Sequence, residues 1–574
     1  MNMQRNEPWA FLDAWRGKSF EGEWPSLVEL FRISVERFPE RHCFTIYDPA
    51  RRSLTYKEAL AAVEAAARRL RADGVADGDR VAVSGKNGIE WAVAYLAALF
   101  AGAVVVPIDT QLSDAEVDNL LKASGARALF IDGDRAAAFP PAKYGMAARY
   151  SLTRDGEPYA LGLDGPAPSP APRKAEAKDL AAILFTSGTT GVPKGVMLSH
   201  GNLVSDCLLA QANLSIFPTD VFYAVLPIHH SYTMLAVFIE AISVGAEIVF
   251  GKRLVAKQML KDFREAGVTM FLGAPILFNK LLAGIMKGIR EKGPLVHGIL
   301  SFLMAVSGLV KKVFKVNPGK KLFRTVLDKA GLTTIRICIS GGGPLAPSVF
   351  RKYNQLGIDF VQGYGLTETS PIITLNPIEH YKETSVGALI PRTEMKVLEP
   401  DAEGRGVLAV KGPMVMQGYY NNPAATAEVF TADGWFITGD VGWIDDENYV
   451  YLTGRAKNLI VTEGGKNVYP EEIENAFQLF DEVDQVLVRG WIEDEETRSE
   501  RIEALLYPNP EWFAAAASRG ELADDRAGRE RRMKEVVDKV NATLLPYQRI
   551  DRVTVLAEPL EMTTTKKIKR HAAR

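Results

Sequence analysis

Cysteine is scarce: the 574-residue chain has only Cys43, Cys207 and Cys338. They lie far apart without metal-type spacing, which argues against a disulfide framework and suits a reducing cytoplasm. Net charge is also nearly absent, -2 from 68 basic and 70 acidic residues. A balance this close gives no global attraction to nucleic acid or anionic membrane, so no nucleic-acid partner is expected and any basic patch must be local. Unbroken apolar runs are missing too. Residues 91–108 are divided by Gly102 into a helix-like half and a β-branched half, and 232–250 carries Glu240 inside and Gly245 between its halves. Each reads as a buried helix followed by a buried strand, so no transmembrane helix is expected. The opening MNMQRNEPWAFLDAW lacks the apolar core of a signal peptide. A cytoplasmic protein is expected.

The length exceeds what one hydrophobic core normally supports, so two or more domains are predicted. Strand-like runs alternate with amphipathic helices through the first part: RVAVSG, a helix from Ile89, VVVPID, a helix from Ser113, then ARALFID. That alternation predicts an α/β fold with parallel sheets covered by helices. Residues 165–178, rich in Pro and Ala, read as a linker. Strands shorten and turns multiply over 386–451, which predicts a small antiparallel or barrel-like part. After YVYLTG a boundary falls near Gly454 and Arg455, dividing a large domain, 1–453, from a small α+β domain, 454–574.

The most informative stretch is FTSGTTGVPKGV, 185–196. Ser187, Thr189 and Thr190 supply hydroxyl donors, Gly188, Gly191 and Gly195 let successive amides approach an anion, and Lys194 adds a positive charge. A loop of this composition suits a polyphosphate. The strand-like 181–185 precedes it, and LSHGNLVSDCLLA after it reads as a loop passing into a helix. It is not a Walker loop, because Pro193 precedes the lysine and Gly195 follows it where glycine and a metal-binding hydroxyl would be needed.

The string instead resembles the phosphate-loop signature of the adenylate-forming (AMP-binding) enzymes: acyl-CoA synthetases, peptide-synthetase adenylation domains and luciferases. Further signatures follow in that family's order. LPIHHSYTM, 226–234, is similar to its LPxxH segment, and places His230 beside the substrate carboxylate. SGGGPLAP, 340–347, resembles the adenine-binding turn through Gly341, Gly342 and Gly343. QGYGLTETSP, 362–371, implies Tyr364 stacking on the base, Gln362 on its exocyclic amine, Gly363 and Gly365 shaping the loop, Thr367 on the α-phosphate and Glu368 as magnesium ligand. GWFITGDVGWID, 434–445, implies Asp440 on the ribose hydroxyls, with Arg455 reaching the same sugar or a phosphate.

The resemblance puts a hinge at Lys457, followed by Asn458 where relatives carry an acidic residue. GGKNVYPEEIE, 464–474, looks like the loop that comes over the site for thioester formation, with Gly464, Gly465 and Lys466 at its tip. TTTKKIKR, 563–570, makes Lys567 the candidate catalytic lysine, with Lys566 as its competitor in register. Implied substrates and cofactors are ATP, Mg2+ and coenzyme A, with Thr186, Thr190 and Glu368 around the metal and phosphates. The implied chemistry is attack of a carboxylate on the α-phosphate, then thiolysis of the acyl-adenylate after the small domain turns about Lys457.

Residues 280–333 form a basic insertion, eleven Lys or Arg against Glu291 and Asp328 only. With the QGYGLTETSP form and the C-terminal ending, it looks like bacterial long-chain fatty acyl-CoA synthetases, which makes a fatty acid the expected acid. Medium-chain or aryl acids, a carrier-protein thiol, and a non-catalytic nucleotide-binding scaffold are the competing readings. The insertion itself has two: peripheral docking on anionic lipid at the inner membrane face, or a helical hairpin packed on the large domain.

Overall fold

The computed structural model describes residues 7–166, 171–186, 193–252, 255–462, 466–478, 480–492, 500–562 and 568–570. The β-branched runs of the first part become the strands Arg80–Ser84, Val104–Pro107 and Ala126–Ile131, paired in parallel. They belong to a seven-stranded sheet that continues through Leu180–Thr186 and Lys194–Ser199 to Gly418–Tyr419 at its edge. A nine-stranded sheet holds Ile337–Ser340 and Asp359–Tyr364 side by side in parallel.

Alternate residues of these strands face different cores, as the two-residue period of a strand requires. Val81 and Val83 of one sheet and Phe222 and Ile248 of the other enter the same large cluster, while Ala82 and Tyr223 face away into separate clusters. Helices fill the space between the sheets. Ile89–Phe100 is apolar but for Glu90, which pairs with Arg52 at 2.8 Å, and all twelve residues are buried, as in a helix packed on all sides. The apolar run at 232–250 likewise splits into helical turns ending at Gly245, whose φ is 80°, and the strand Glu247–Phe250. Residues 234–239 of those turns form a π-helical segment.

The antiparallel part is a four-stranded sheet built from Glu394–Leu398, Gly406–Lys411, Phe436–Ile444 and Val450–Arg455. This region also sends two short strands outward, Ala388–Leu389 to the nine-stranded sheet and Gly418–Tyr419 to the seven-stranded one. Beyond it a separate core gathers Ile473, Val488, Ile502, Leu506, Phe513, Val537 and Ile550. Strands Val483–Ile492, Glu500–Pro508 and Arg552–Val555 and helices Pro470–Ala476 and Arg526–Asn541 surround it.

The structure corrects one local reading. No loop separates the phosphate segment from the following helix. Lys194–Ser199 is a strand antiparallel to Leu180–Thr186, and Ser199 directly caps His200–Ala210 through a reciprocal pair with Asn202. The strands on either side of the phosphate segment are thus paired antiparallel, with Thr186 opposite Lys194.

Candidate active site

The two glycine-bearing motifs meet because their strands are neighbours. Ser340 pairs with Gln362 at the carboxyl ends of adjacent parallel strands, so Gly341–Gly343 and Tyr364 emerge at one crevice of the sheet, where α/β folds bind ligands. Gly341 is closely packed: an added Cβ would lie 2.9 Å from the ring of Tyr232, whose hydroxyl donates to the Ile339 carbonyl at 3.0 Å. Gly365 has no room at all, since a Cβ there would lie 1.6 Å from the Pro371 carbonyl oxygen. The QGYGLTETSP segment therefore folds back on itself. Ser370, at φ 70°, turns the chain, and its hydroxyl donates to the Met414 carbonyl at 2.8 Å.

Asp440 is buried and held from two sides. The Tyr364 hydroxyl donates to Oδ2 at 2.7 Å, and Arg455 Nε reaches Oδ1 at 2.8 Å. The arginine comes from the facing strand, where it is the Cα partner of Asp440. The tight turn expected before the aspartate is instead an irregularity within the strand Phe436–Ile444, where Gly439, at φ 73°, accommodates a register shift against the neighbouring strand. Burial and the neighbouring Asp440 carboxylate push the Tyr364 phenol well up, so it stays a donor throughout the physiological range. For Arg455, burial works against its charge, but Asp440, Tyr364, Glu368 and Glu471 outweigh it and the guanidinium is held more firmly protonated.

On the phosphate side, Thr186 Oγ1 lies 3.4 Å from the Lys194 carbonyl and the Lys194 ammonium stands 4.9 Å from the centre of the Tyr419 ring. The Tyr419 hydroxyl donates to Glu368 Oε1 at 2.9 Å, and the Met416 amide to the Glu368 carbonyl at 2.8 Å. Tyr419 links Lys194 to the TETSP glutamate because its short strand pairs with Lys194–Ser199. Among the described residues, Glu368 Oε2 has no hydrogen-bond donor. A hard oxygen donor in that position fits a divalent cation such as Mg2+.

On the opposite side, Thr367 Oγ1 lies 3.1 Å from Ser231 Oγ, joining the TETSP turn to the histidine segment. His229 is buried with Nε2 3.5 Å from Asp109 Oδ2, while His230 is only part-buried, 4.4 Å from its neighbour ring to ring. Asn87 fixes this loop: its amide donates to the Ala224 and Leu226 carbonyls and its oxygen accepts from the Ile228 amide. The geometry divides the pair into an inward, paired His229 and a His230 at the lip.

Lys457 lies in an exposed turn, Ala456–Asn458. Asn458, which departs from the family pattern, donates to Glu471 Oε1 at 2.6 Å. Glu471 and Glu474 both receive Arg570, at 3.5 and 2.5 Å, and Arg570 also donates to the Val488 carbonyl. Burial pushes the Glu474 carboxyl up to about 7 against the pull of Arg570. The turn after Arg455 and the residues following Lys567 thus share one charged network. Gln478 ties this part to the glycine turn: its side chain accepts from the Ala346 amide at 2.8 Å and donates to the Pro344 carbonyl. Lys466 is exposed, immediately before the short strand Asn467–Val468.

Ser187, Gly188, Thr189, Thr190, Gly191, Gly464, Gly465, Lys566 and Lys567 lie outside the described residues. Of the others, Lys194 and Glu368 meet through Tyr419, Thr367 meets Ser231, and Tyr364, Asp440 and Arg455 form a second group, whereas Lys457 and Lys466 belong to neither. Sequence reasoning missed Tyr419, Ser231, Asn87, Asp109 and Arg570. None sits at a distinctive spacing from its partner, so no local signal marked them.

The chain is similar to several known proteins. Feruloyl-CoA synthase of an Amycolatopsis species is 30% identical, covering 82% of this chain and 85% of its own. Long-chain-fatty-acid–CoA ligase FadD15 of Mycobacterium tuberculosis is 29% identical over 82% and 81%. ATP-bound MatB from Rhodopseudomonas palustris superposes with a TM-score of 0.74 at 26% identity, covering 95% of this chain and 98% of that one. The AMP-binding enzyme model matches residues 31–420, the span that carries Lys194, the glycine turn and the TETSP glutamate, and the chain therefore belongs to the AMP-binding enzyme family.

Proposed function

We propose that the protein is an acid–CoA ligase that activates a long-chain fatty acid with ATP and passes the acyl group to coenzyme A. The observation that carries this reading is the Lys194–Tyr419–Glu368 link, with Thr367 bonded to Ser231 beside His230. It supports the reading because adenylation needs phosphate-binding groups and a carboxylate pocket at one cleft.

In the first step a carboxylate oxygen attacks the α-phosphorus, the bond to the bridging oxygen breaks, and pyrophosphate leaves. The obstacle is electrostatic, because an anion approaches a polyanion. Lys194, Thr186, Thr367 and the phosphate-segment amides hold the phosphates, and Lys567 closes over the carboxylate and α-phosphate. Preorganised donors of this kind each contribute about 3 to 4 kcal/mol to the transition state. Glu368, with Thr186 and Thr190 as further oxygen donors, would hold Mg2+, which supplies charge neutralisation on the phosphates when bound. Asp440 and Arg455 orient the ribose, Tyr364 and Gln362 the adenine with the Gly341–Gly343 turn. In the second step the thiolate sulfur attacks the acyl carbonyl, the acyl–phosphate bond breaks and AMP departs. Between the two steps a turn of the 454–574 unit about Lys457 exchanges Lys567 for the 464–466 loop, which readies the site for the thiol.

The long-chain assignment rests on likeness to proteins named long-chain ligases and on the 280–333 insertion. An aryl acid is the second reading, favoured by the equal likeness to a feruloyl-CoA synthase. AMP release with Mg-ATP across acetate, octanoate, palmitate, oleate, benzoate and ferulate, each with and without coenzyme A, separates them. Release peaking with palmitate or oleate and requiring coenzyme A is expected; a peak with ferulate moves the enzyme to aryl acids.

A further inference from the structure

Helix Pro294–Phe314 carries its apolar side chains outward. Leu295, Ile299, Phe302, Val306, Leu309 and Val313 alternate at spacings of four and three residues, which lines them along one face. That face is exposed: Leu295 is 76%, Phe302 67% and Leu309 63% accessible, with Phe314 at 69%. The buried positions of the same helix include Ser307 and Lys311, the residues a surface helix normally turns to water.

The anchorage explains how the fold tolerates this inversion. Lys311 Nζ bonds Asn354 Oδ1 at 2.7 Å and Asp359 Oδ1 at 2.5 Å. Gly308 allows close approach, since a Cβ there would lie 2.7 Å from Gln355 Cγ. Burial lowers the Lys311 ammonium while Asp359 holds it up, so the pair is an internal bolt rather than a solvated contact. The bolt fixes the helix to the strand Asp359–Tyr364, which runs into the nucleotide crevice. The outward stripe takes no part in that anchorage, and an apolar stripe of this length left in water needs a partner.

Charge identifies the partner. No Asp or Glu occurs between Glu291 and Asp328, and Lys292, Lys312, Lys321 and Arg324 are exposed around the two ends of the stripe. A second copy seated on the stripe would bring like charges together in either orientation. An anionic bilayer offers acyl chains to the stripe and phosphates to the cations. At ~1.5 Å per residue the helix is long enough to span a bilayer, but its bolted face holds it flat on the protein. We propose that Pro294–Phe314 is a docking helix that lies in the interface of an anionic membrane, with the Leu295-to-Val313 stripe in the acyl boundary. This inference stands on the fold and is independent of which acid is activated.

The test is sedimentation of the full chain with vesicles of phosphatidylcholine alone and with 30% phosphatidylglycerol. Binding to the anionic vesicles at least 10-fold tighter than to the neutral ones is expected. The double substitution Phe302→Glu, Leu309→Glu should weaken it at least 10-fold, leaving the thermal melt and AMP formation from soluble octanoate unchanged. Lys312→Glu with Lys321→Glu, on exposed side chains, should abolish the preference for anionic vesicles without touching the stripe. Equal vesicle binding by the wild type and both variants overturns the proposal. So does a wild-type dimer by light scattering that the Phe302→Glu, Leu309→Glu variant dissociates, because the stripe then belongs to a second copy. Absence of AMP formation in every protein, with vesicle binding intact, would instead refute the ligase reading alone.

Discussion

Replacing Tyr364 by Phe keeps the aromatic face and removes one hydroxyl, which isolates the hold on Asp440. In the native fold that hydroxyl donates to Oδ2 at 2.7 Å while Arg455 holds Oδ1 at 2.8 Å. A hydrogen bond to a charged group contributes about 1.5 to 3 kcal/mol. Arg455 still compensates the charge in the variant, so the lower end applies, about 1.5 kcal/mol, close to tenfold in an equilibrium constant. Asp440 is proposed to take the ribose rather than the reacting phosphate, so the loss should appear as a roughly tenfold rise in KM for ATP with kcat little changed. Burial keeps the Tyr364 phenol protonated across the assay range, so the effect should be constant from pH 6 to 9. Steady-state kinetics and ATP binding by calorimetry read it directly. An unchanged or tighter ATP affinity in a less stable protein would refute the reasoning, because the hydroxyl would then serve the fold alone. A fall in kcat at constant KM would move Tyr364 to the transition state.

Gly365→Ala should yield protein that fails to fold or has lost adenylation, since its Cβ would meet the Pro371 carbonyl oxygen at 1.6 Å with no flexible side chain to yield; soluble yield and AMP release check this. Lys567→Ala should abolish AMP formation while sparing thioester formation from supplied acyl-adenylate, and Arg570→Ala should weaken the same half-reaction by freeing the segment that Glu471 and Glu474 hold. Burial lowers His200 to about 4, and its Nδ1 accepts from the Leu27 amide at 3.1 Å, which requires the neutral ring. A base whose folded pKa is depressed from 6.5 to about 4 loses stability as pH falls through that window, here by about 3 kcal/mol. His200→Gln should flatten the fall in urea midpoint between pH 6.5 and 4 relative to wild type. Glu240 is buried and its carboxyl is pushed well up by desolvation. Its cost therefore grows as pH rises above the ordinary carboxylate range, and Glu240→Gln should gain stability over wild type at pH 8 but not at pH 4.

Local patterns carried most of the architecture. Ser113 followed by Glu116, and Gly102 between an alanine-rich and a valine-rich run, mark a cap and a break that obey short-range physics. The strand Lys194–Ser199 escaped because its glycine and lysine read as loop, whereas pairing with Leu180–Thr186 decides it. The motif residues that meet in the crevice were named from the sequence, but their connections were not. Tyr419 lies 51 residues from Glu368 and Asp109 far from His229, and only the sheet order brings them together. Asn458 reads as a departure from pattern until its partner Glu471 is seen. The helix Pro294–Phe314 shows the limit of periodicity: a stripe at helical spacing names a face without saying which way it points. Lys311, buried on Asp359, settles the direction.

The most direct test of the central claim is exchange of labelled pyrophosphate into ATP, with Mg2+ and no coenzyme A, as a function of added acid. Reversible acyl-adenylate formation predicts exchange that depends on palmitate or oleate, stops with Lys567→Ala, and gives way to acyl-CoA and AMP once coenzyme A is added. Exchange independent of any acid, or formation of ADP and phosphate instead of AMP, would contradict it.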